Sequence, residues 1–276
     1  FEDRAYILAT SEAAGGRGIN ASYVIRSFGG DTLAISTCGG KSGDRFRQLL
    51  CGLGFPAECV PIQNEIRTNL TITDRQGLTV KLNQPGPPLT KEELNRLYTA
   101  VERRLDGASW LLICGSLPPG VPPGFYSSLV KLAREHGVKT LLDTDGEALI
   151  EGAEAGPTVV APNQQEAERL LNTALITRGH FLDAATRIRD MGPESVILSL
   201  GSRGAVTSTA AGVFEVIPPR VEAVCPIGAG DVLAAAFTWA IEKGRDFVDA
   251  VRWGVAAGTA SASLPGVTFP NLDQAR

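Results

Sequence analysis

Residues 225–244, CPIGAGDVLAAAFTWAIEKG, carry the strongest local signal in the chain. Apolar residues recur at helical spacing after the glycines, which predicts a helix over residues 229–243 that begins within the glycine turn. The free N–H groups of such a turn attract an anion. The carboxylate of Asp231 would repel a bound anion. Its position in this turn is explained if it must accept a proton from an attacking hydroxyl. An ordinary helix start is the alternative, and the flanking pattern favours a catalytic carboxylate.

The rest of the chain alternates short β-branched runs with amphipathic segments. This alternation predicts an α/β fold in which helices cover both faces of a mostly parallel central sheet. Core strands are predicted at residues 31–37, 110–114, 138–143, 158–161 and 195–200. Helices are predicted at residues 19–28, 43–53, 91–104, 124–136, 164–171, 181–191, 229–243 and 247–263.

A small β-sheet lid is predicted beside the main sheet. Residues 68–73 and 78–82 flank Asp74-Arg75-Gln76-Gly77, which is typical of a hairpin, and residues 4–10 also have strand character. An open strand edge on the lid would often pair with another subunit, so a homodimer through the lid is expected. The predicted organisation is a lid at 1–10 and 66–83 and a nucleotide- and substrate-binding core at 11–65 and 84–276.

Composition excludes several classes of function. The 276 residues carry a formal net charge of −4, so there is no bulk positive field for nucleic acid or an anionic membrane. No apolar run approaches the roughly 20 residues of a membrane span. The five cysteines form no C-x-x-C pair and there are only two histidines, which argues against a disulfide framework or a multi-histidine metal site. A reducing, cytoplasmic location is expected.

A second glycine segment, Gly15-Gly16-Arg17-Gly18-Ile19-Asn20-Ala21, fits a dinucleotide-binding fingerprint. That hypothesis also requires an acid about 20 residues further on, at the end of the next strand. The next strand ends in residues 36–40 without a carboxylate, so an NAD-dependent oxidoreductase is the least favoured interpretation. Gly40-Lys41-Ser42 imitates a P-loop, but Ile35 replaces the glycine that the motif requires.

Three further segments follow predicted strands, where open α/β sheets bind ligands. GSLPPG at 115–120 is either a ligand loop or a stiff connection, and SLGSRG at 199–204 either cradles a nucleotide or is a tight turn. In PNQQE, Asn163 and Glu166 can form a capping box, can lie near phosphates and Mg²⁺, or can do both. The acids Asp143, Asp145 and Glu147 are attributed to helix N-terminal charge.

In order, GGRGIN, IRTN, GSLPPG, PNQQE, SLGSRG and PIGAGD resemble the PfkB carbohydrate kinases over residues 15–258. GSLPPGVPPGFY and DTDGEAL are similar to the branch containing 1-phosphofructokinase and tagatose-6-phosphate kinase. The resemblance implies a ribokinase-like three-layer α/β sandwich with a β-sheet lid. It also implies ATP and Mg²⁺ as cofactors and a ketohexose phosphate as acceptor, with fructose 1-phosphate first and tagatose 6-phosphate or fructose 6-phosphate next.

The resemblance also implies a role for each motif. Asp231 would be the general base, and the anion hole would comprise the amides of Gly228, Ala229 and Gly230. The substrate would be held by Gly15, Gly16, Arg17, Asn20, Ser116, Arg67 and Arg4. ATP would be held by Asn163, Ser199, Gly201, Gly204 and Gly258, and Glu166 would organise Mg²⁺.

Two departures from the family pattern keep alternatives open. The family's first core strand and the N-terminal part of its lid have no counterpart in this chain, so the resemblance implies residues upstream of Phe1. Ala161 stands where the branch often has lysine. The alternatives are a kinase for an unphosphorylated sugar or nucleoside, and a non-catalytic sugar-phosphate or nucleotide sensor on the same fold.

Overall fold

The predicted alternation of strands and helices is present in the computed structural model, which describes residues 6–74, 79–266 and 268–275. The strands are β1 (Ala34–Cys38), β2 (Ala57–Pro61), β3 (Leu70–Thr73), β4 (Thr79–Leu82), β5 (Trp110–Cys114), β6 (Lys139–Asp143), β7 (Val159–Val160), β8 (Ser195–Ser199), β9 (Ala205–Thr209) and β10 (Gly212–Val216). The helices are α1 (Arg17–Ser27), α2 (Gly40–Cys51), α3 (Lys91–Glu102), α4 (Gly124–Glu135), α5 (Gly146–Glu154), α6 (Gln164–Leu171), α7 (Arg178–Asp190), α8 (Ala229–Glu242), α9 (Phe247–Ala262) and α10 (Leu272–Ala275).

The main sheet has the strand order β10-β9-β8-β7-β6-β5, in which β5 to β8 are parallel and β9 and β10 are antiparallel. Alternate side chains face opposite cores: Leu142 and Val160 pack in a core with α4 and α7, whereas Leu141 and Val159 pack in a core with α8 and α9. Each of these four residues is at most 1% exposed, so each contributes about 1.5–3 kcal/mol of burial. The predicted three-layer α/β sandwich is confirmed.

A cleft separates this sheet from a smaller one. Among the described residues, β1 pairs with β2 and β5 pairs with β6, and β1 and β5 do not pair with each other. The cleft has a volume of about 1250 Å³ and is lined by β1, β5, α1 and Trp239. Within the described part of the chain, the buried Nε1 of Trp239 has no hydrogen-bond partner. The cleft therefore has two strand edges and a buried donor.

The predicted hairpin is present as the antiparallel pair β3–β4; the turn residues 75–78 lie outside the described residues. Leu70 lies opposite Leu82, and Ile72 lies opposite Val80, so these four side chains share one face of the ribbon. Each of them is at least 50% exposed. We call Leu70, Ile72, Val80 and Leu82 the apolar lid face.

One predicted strand is wrong. Residues 6–10 of the predicted strand 4–10 have no regular structure and are exposed, and the remainder lies outside the described residues. A strand needs a hydrogen-bonded partner, and in the described residues β3 and β4 pair only with each other. The lid described here is therefore a two-stranded ribbon.

Several elements were not predicted from the sequence. β2 contains Glu58 and Pro61, which are uncommon in strands. Because β2 is an edge strand, it can accommodate a proline. α5 has only nine residues. It begins among the acids Asp143, Asp145 and Glu147, which the sequence analysis attributed to helix N-terminal charge without predicting the extent of a helix. The β9–β10 hairpin lacked a distinct turn signal. Within the described ranges, no helix has the length and apolar character needed to cross a membrane.

Candidate active site

The candidate site lies where the carboxyl ends of β5 and β6 meet the N-termini of α1 and α8. The amide of Gly115, directly after β5, donates to the carbonyl of Asp143 at the end of β6 (2.8 Å), which joins the two strand ends. Arg17 and Asn20 of α1 reach the β6 end and the α8 turn, respectively. This edge is where open α/β sheets bind ligands.

The glycine turn before α8 has the conformation that its sequence predicts. Gly228 is the residue before the helix and has φ of 83°, a region that favours glycine, and an added Cβ would lie 3.0 Å from Cε1 of Phe269. Gly230 and Asp231 lie in the first turn, where N–H groups have no intrahelical acceptor. The predicted anion-hole amide of Ala229 already donates to the carbonyl of Pro226 (3.2 Å).

Asp231 is partly exposed and contacts the glycine motif of α1. Nδ2 of Asn20 donates to Oδ2 of Asp231 at 2.6 Å. Burial raises the pKa of Asp231 above its usual value, while the Asn20 hydrogen bond and the charges of Arg17 and Lys81 oppose that increase. A raised pKa makes the carboxylate a stronger proton acceptor. Gly16, with φ of 123°, lies directly before α1, and its carbonyl accepts from the amide of Asn20 (2.9 Å).

Arg17 lies at the centre of three carboxylates. Its Nη1 is 2.6 Å from Oδ1 of Asp143, and its Nη2 is 2.9 Å from Oε1 of Glu166 and 3.6 Å from Oδ2 of Asp145. The resemblance predicted Arg17 as a substrate ligand, and the structure instead places its guanidinium between acids. Asp143 is 7% exposed, so attributing it to helix N-terminal charge was wrong: a carboxylate buried this deeply needs a counter-ion.

Burial also shifts the ionisation of this cluster. It raises the pKa of Asp143 to about 7, and the negative charges of Asp231 and Glu166 act in the same direction while Arg17 opposes them. Burial acts to lower the pKa of Arg17, but the neighbouring carboxylates outweigh it and raise that pKa above its usual value. Asp143 therefore changes its charge near neutral pH, and Arg17 stays charged.

Asn163 and Glu166 form the capping box that their spacing predicted. Oδ1 of Asn163 accepts from the amide of Glu166, and Oε2 of Glu166 accepts from the amide of Asn163, both at 2.9 Å. The other oxygen of Glu166 accepts from Arg17, so both carboxylate oxygens have donors in this structure.

The side chains near Glu166 show whether this site fits the Mg²⁺ ion that the resemblance implies. In the described residues there is no group of three or more His, Cys, Asp or Glu side chains that could hold a metal ion. Mg²⁺ usually takes one or two carboxylates together with water and substrate phosphates rather than a cage made of protein ligands. Glu166, with its hard oxygen donors, fits a metal held mainly by a nucleotide.

The lid contacts the loop after β5. Nη1 of Arg67 donates to Oγ of Ser116 at 3.2 Å, which brings together two of the predicted substrate residues. An added Cβ on Gly86 would lie 3.3 Å from Pro118, so the chain leaving the lid also packs on this loop. The predicted Arg4 lies outside the described residues.

The predicted nucleotide glycines have structural roles in this fold. Gly201–Arg203 forms a single 3₁₀ turn after Ser199, and an added Cβ on Gly204 would lie 2.0 Å from the carbonyl of Val216. Residues 199–204 therefore form a tight turn, which was the alternative to a nucleotide-binding loop. An added Cβ on Gly258 would lie 2.9 Å from the carbonyl of Ala229, so Gly258 allows α9 to pack beneath the glycine turn of α8. Gly15 has open space around its Cα.

Similarity to known proteins extends over nearly the whole chain. A family model described as pfkB family carbohydrate kinase matches residues 2–274. The chain is 32% identical over 262 residues to the ATP-dependent 6-phosphofructokinase isozyme 2 of Escherichia coli K12, covering 94% of this chain and 84% of that protein. It is 30% identical over 258 residues to the 1-phosphofructokinase of Borreliella burgdorferi, covering 93% and 83%. The crystal structure of phosphofructokinase-2 from Escherichia coli in complex with potassium matches with a TM-score of 0.87 at 30% identity, covering 95% of this chain and 85% of that one.

Proposed function

The chain belongs to the pfkB family of carbohydrate kinases, phosphotransferases with an alcohol group as acceptor, and from that premise we propose that it transfers the γ-phosphoryl group of ATP to a hydroxyl of a ketohexose phosphate. Fructose 1-phosphate is the first candidate acceptor, followed by tagatose 6-phosphate and fructose 6-phosphate. The relatives named 1-phosphofructokinase and 6-phosphofructokinase support a phosphorylated fructose. The observation that carries the proposal is Asp231 in the glycine turn of α8, held by Asn20 at 2.6 Å.

In the proposed reaction, the acceptor hydroxyl loses its proton to Asp231 as its oxygen bonds to the γ-phosphorus and the bond to ADP breaks. Asn20 orients the carboxylate, and the first-turn amides of α8 stabilise charge on the migrating group. Arg67 and Ser116 hold the acceptor from the lid side. Glu166 would help to hold Mg²⁺, which would neutralise charge on the nucleotide phosphates. The chain's own contribution is alignment, proton acceptance and exclusion of water.

The test is a panel of acceptors scored by ADP release, using the full-length gene product. The panel compares a nucleoside with fructose 1-phosphate, tagatose 6-phosphate, fructose 6-phosphate and free fructose. We expect turnover of at least one sugar phosphate. Arg67→Ala should raise KM for that sugar phosphate about 10–100-fold, the range of a lost charged hydrogen bond, and change kcat/KM for free fructose less than twofold.

Two results would contradict the proposed function. Turnover confined to the free sugar or the nucleoside would favour the kinase for an unphosphorylated acceptor. Calorimetric binding of sugar phosphate or ATP without ADP release would favour the sensor.

We also propose a homodimer through the apolar lid face. Its four apolar side chains are at least half exposed, and the strand edges of β3 and β4 offer further hydrogen bonds. The double variant L70D/I72D should raise the dimer dissociation constant at least about 100-fold, because burying an unpaired carboxylate costs more than about 3 kcal/mol. Light scattering after gel filtration, at several protein concentrations, measures the fraction of dimer and hence its dissociation constant.

The matched control for the lid is Ile176→Asp. Ile176 is 74% exposed in the loop before α7, away from the lid, and its replacement should leave the dimer intact. A monomeric wild-type protein, or a dimer that survives both aspartates, would exclude the lid interface.

For the cleft between β1 and β5, we propose that an extended segment of the polypeptide upstream of Phe1 pairs with both strand edges. The pairing edges and the buried Nε1 of Trp239 support a backbone occupant with a carbonyl for that donor. Hydrogen exchange of the β1 and β5 amides that face the cleft should slow about 100-fold or more when the native upstream residues are present. Equal exchange with and without them would contradict the proposal.

A further inference from the structure

The carbonyl of Gly115, directly after β5, accepts two hydroxyl hydrogen bonds. Oγ1 of Thr144, the residue after β6, donates to this oxygen at 2.8 Å, and the hydroxyl of Tyr126 on α4 donates to it at 3.0 Å. A carbonyl oxygen has two lone pairs, so these two donors saturate it. Thr144 is fully buried and Tyr126 is half-buried, and neither side chain has a part in the proposed reaction.

The amide of Gly115 is fixed as well. It donates to the carbonyl of Asp143 (2.8 Å), and the φ of Gly115, 93°, lies in the region that favours glycine. Both polar groups of this backbone unit are therefore tied to the end of β6 or to α4. These three hydrogen bonds hold the peptide between Gly115 and Ser116 in one orientation.

The orientation of this peptide decides where the amide of Ser116 points. A peptide unit is planar and trans, so the N–H of Ser116 points opposite to the carbonyl of Gly115. That carbonyl faces the hydroxyls of Thr144 and Tyr126, so the N–H is directed away from them. In the described part of the chain, this N–H has no hydrogen-bond acceptor. An unpaired backbone donor at the carboxyl end of a parallel strand is available to a ligand.

The ionisation of Tyr126 suits a fixed donor. Burial raises the pKa of its hydroxyl above the usual value, and the charges of Arg17 and Arg67 act against that increase. The hydroxyl therefore keeps its proton at neutral pH. The influence of Arg17 and Arg67 also places Tyr126 close to both the glycine motif of α1 and the entrance of the lid. Tyr126 thus supports the loop from behind, within the candidate site.

We propose that Tyr126 and Thr144 are positioning residues: by holding the carbonyl of Gly115, they direct the N–H of Ser116 at an oxygen of the acceptor sugar. This inference rests on the proposed function and adds to it two residues that do not touch the substrate. Without the two hydroxyls the peptide rotates more freely, and its N–H is aligned with the acceptor for a smaller fraction of the time. Tyr126 ends the stretch GSLPPGVPPGFY at residues 115–126, so this role also accounts for the last residue of that stretch.

The experiment compares Tyr126→Phe, Thr144→Val and the double variant with Thr144→Ser, which keeps a hydroxyl. For each protein, kcat and KM are measured for the accepted sugar phosphate and for ATP, and urea unfolding measures stability. Each single loss of a hydroxyl should lower kcat/KM for the sugar phosphate about 3–10-fold, the range of one neutral hydrogen bond, and the double variant about 10–100-fold. KM for ATP should change less than twofold, and Thr144→Ser should stay within twofold of the wild type.

Two matched controls remove comparable hydroxyls elsewhere. Thr207 on β9 is also fully buried and donates to the carbonyl of Val196 (2.7 Å), and Tyr98 on α3 is also half-buried. Thr207→Val and Tyr98→Phe should retain wild-type kcat/KM for both substrates, even where the urea midpoint falls.

A further background identifies the group through which Tyr126 acts. Ser116→Ala removes the hydroxyl of Ser116 but keeps its amide. In this background, Tyr126→Phe should still lower kcat/KM for the sugar phosphate about 3–10-fold. A Tyr126→Phe effect that disappears there would assign the action to the hydroxyl of Ser116 and overturn the role given to its amide.

Each other result also overturns the inference. Unchanged kcat/KM in the double variant, or in both single variants if the double variant is unfolded, excludes the pair from positioning. A KM for ATP that rises in step shows general loosening of the site, and a Thr144→Ser variant as impaired as Thr144→Val excludes the hydroxyl as the cause. A wild-type protein that phosphorylates none of the sugar phosphates overturns the proposed function together with this inference, whereas an active wild type with unaffected variants overturns this inference alone.

Discussion

Replacing Asp231 with asparagine should lower kcat about 10²–10⁴-fold, the usual contribution of a positioned base, which corresponds to roughly 3–5 kcal/mol of barrier. Asparagine has nearly the same shape but cannot accept the proton of the acceptor hydroxyl. The carbonyl oxygen of the new side chain can still accept from Nδ2 of Asn20, which spans 2.6 Å to the carboxylate in the structure. The fold and the KM values should therefore change little. ADP release at saturating ATP and sugar phosphate measures the effect.

The matched control is Asp249→Asn. Asp249 also lies in the first turn of a helix, α9, where it approaches Arg245 at 3.5 Å rather than the glycine motif. This variant should retain wild-type kcat, since it removes a helix-terminal charge without touching the proposed reaction. A loss of less than about tenfold in the Asp231 variant would exclude Asp231 as the base.

Replacing Arg17 with methionine should lower the free energy of unfolding more at pH 8 than at pH 5.5. Removing one member of a buried ion pair costs roughly 3–5 kcal/mol, and since the Arg17 side chain is 28% exposed, we expect about 2–3 kcal/mol at pH 8. Methionine keeps an apolar stem of similar length but leaves Asp143 and Glu166 without their cation. Urea unfolding at both pH values, followed by circular dichroism, measures the difference.

The pH dependence follows from the raised pKa of Asp143, about 7. Because burial raises this pKa above the usual aspartate value, the folded state loses stability relative to the unfolded state as the pH rises and the carboxyl ionises, and this loss is complete above pH 7. Arg17 limits the loss in the wild type. Without it the pKa of Asp143 rises further and the loss of stability continues above pH 7, while at pH 5.5 Asp143 is mostly neutral and needs the cation less.

Two controls separate charge from packing at Arg17. Arg17→Lys keeps one positive charge but cannot donate to two carboxylates at once, so it should lose about half as much stability as Arg17→Met. Arg47→Met removes an exposed partner of Asp44 and should change stability by no more than about 0.5 kcal/mol. Equal losses for Arg17→Met at both pH values would contradict the role assigned to Asp143.

Local elements of the fold could be predicted well from the sequence. β5 and α6 begin and end at the predicted residues, and Asn163 and Glu166 form the capping box that their spacing implied. The hairpin and the glycine turn of α8 are also present where they were predicted. Each of these features depends on residues within a few positions of one another, whose backbone preferences and hydrogen bonds act locally.

The acid cluster could not be predicted in the same way. Arg17 is 126 residues from Asp143 and 149 residues from Glu166, and nothing in the local sequence relates the three. The position of Asp143 at the carboxyl end of a parallel strand was a signal, since side chains there converge at the sheet edge.

The sequence by itself determined the α/β class, the position of Asp231 in a glycine turn that begins a helix, and the hairpin of the lid, because periodicity and turn chemistry act over a few residues. Only the tertiary structure decided that Arg17 is surrounded by Asp143, Asp145 and Glu166. Burial and ion pairing depend on which strand ends and helix ends meet, and those contacts join residues far apart in the chain.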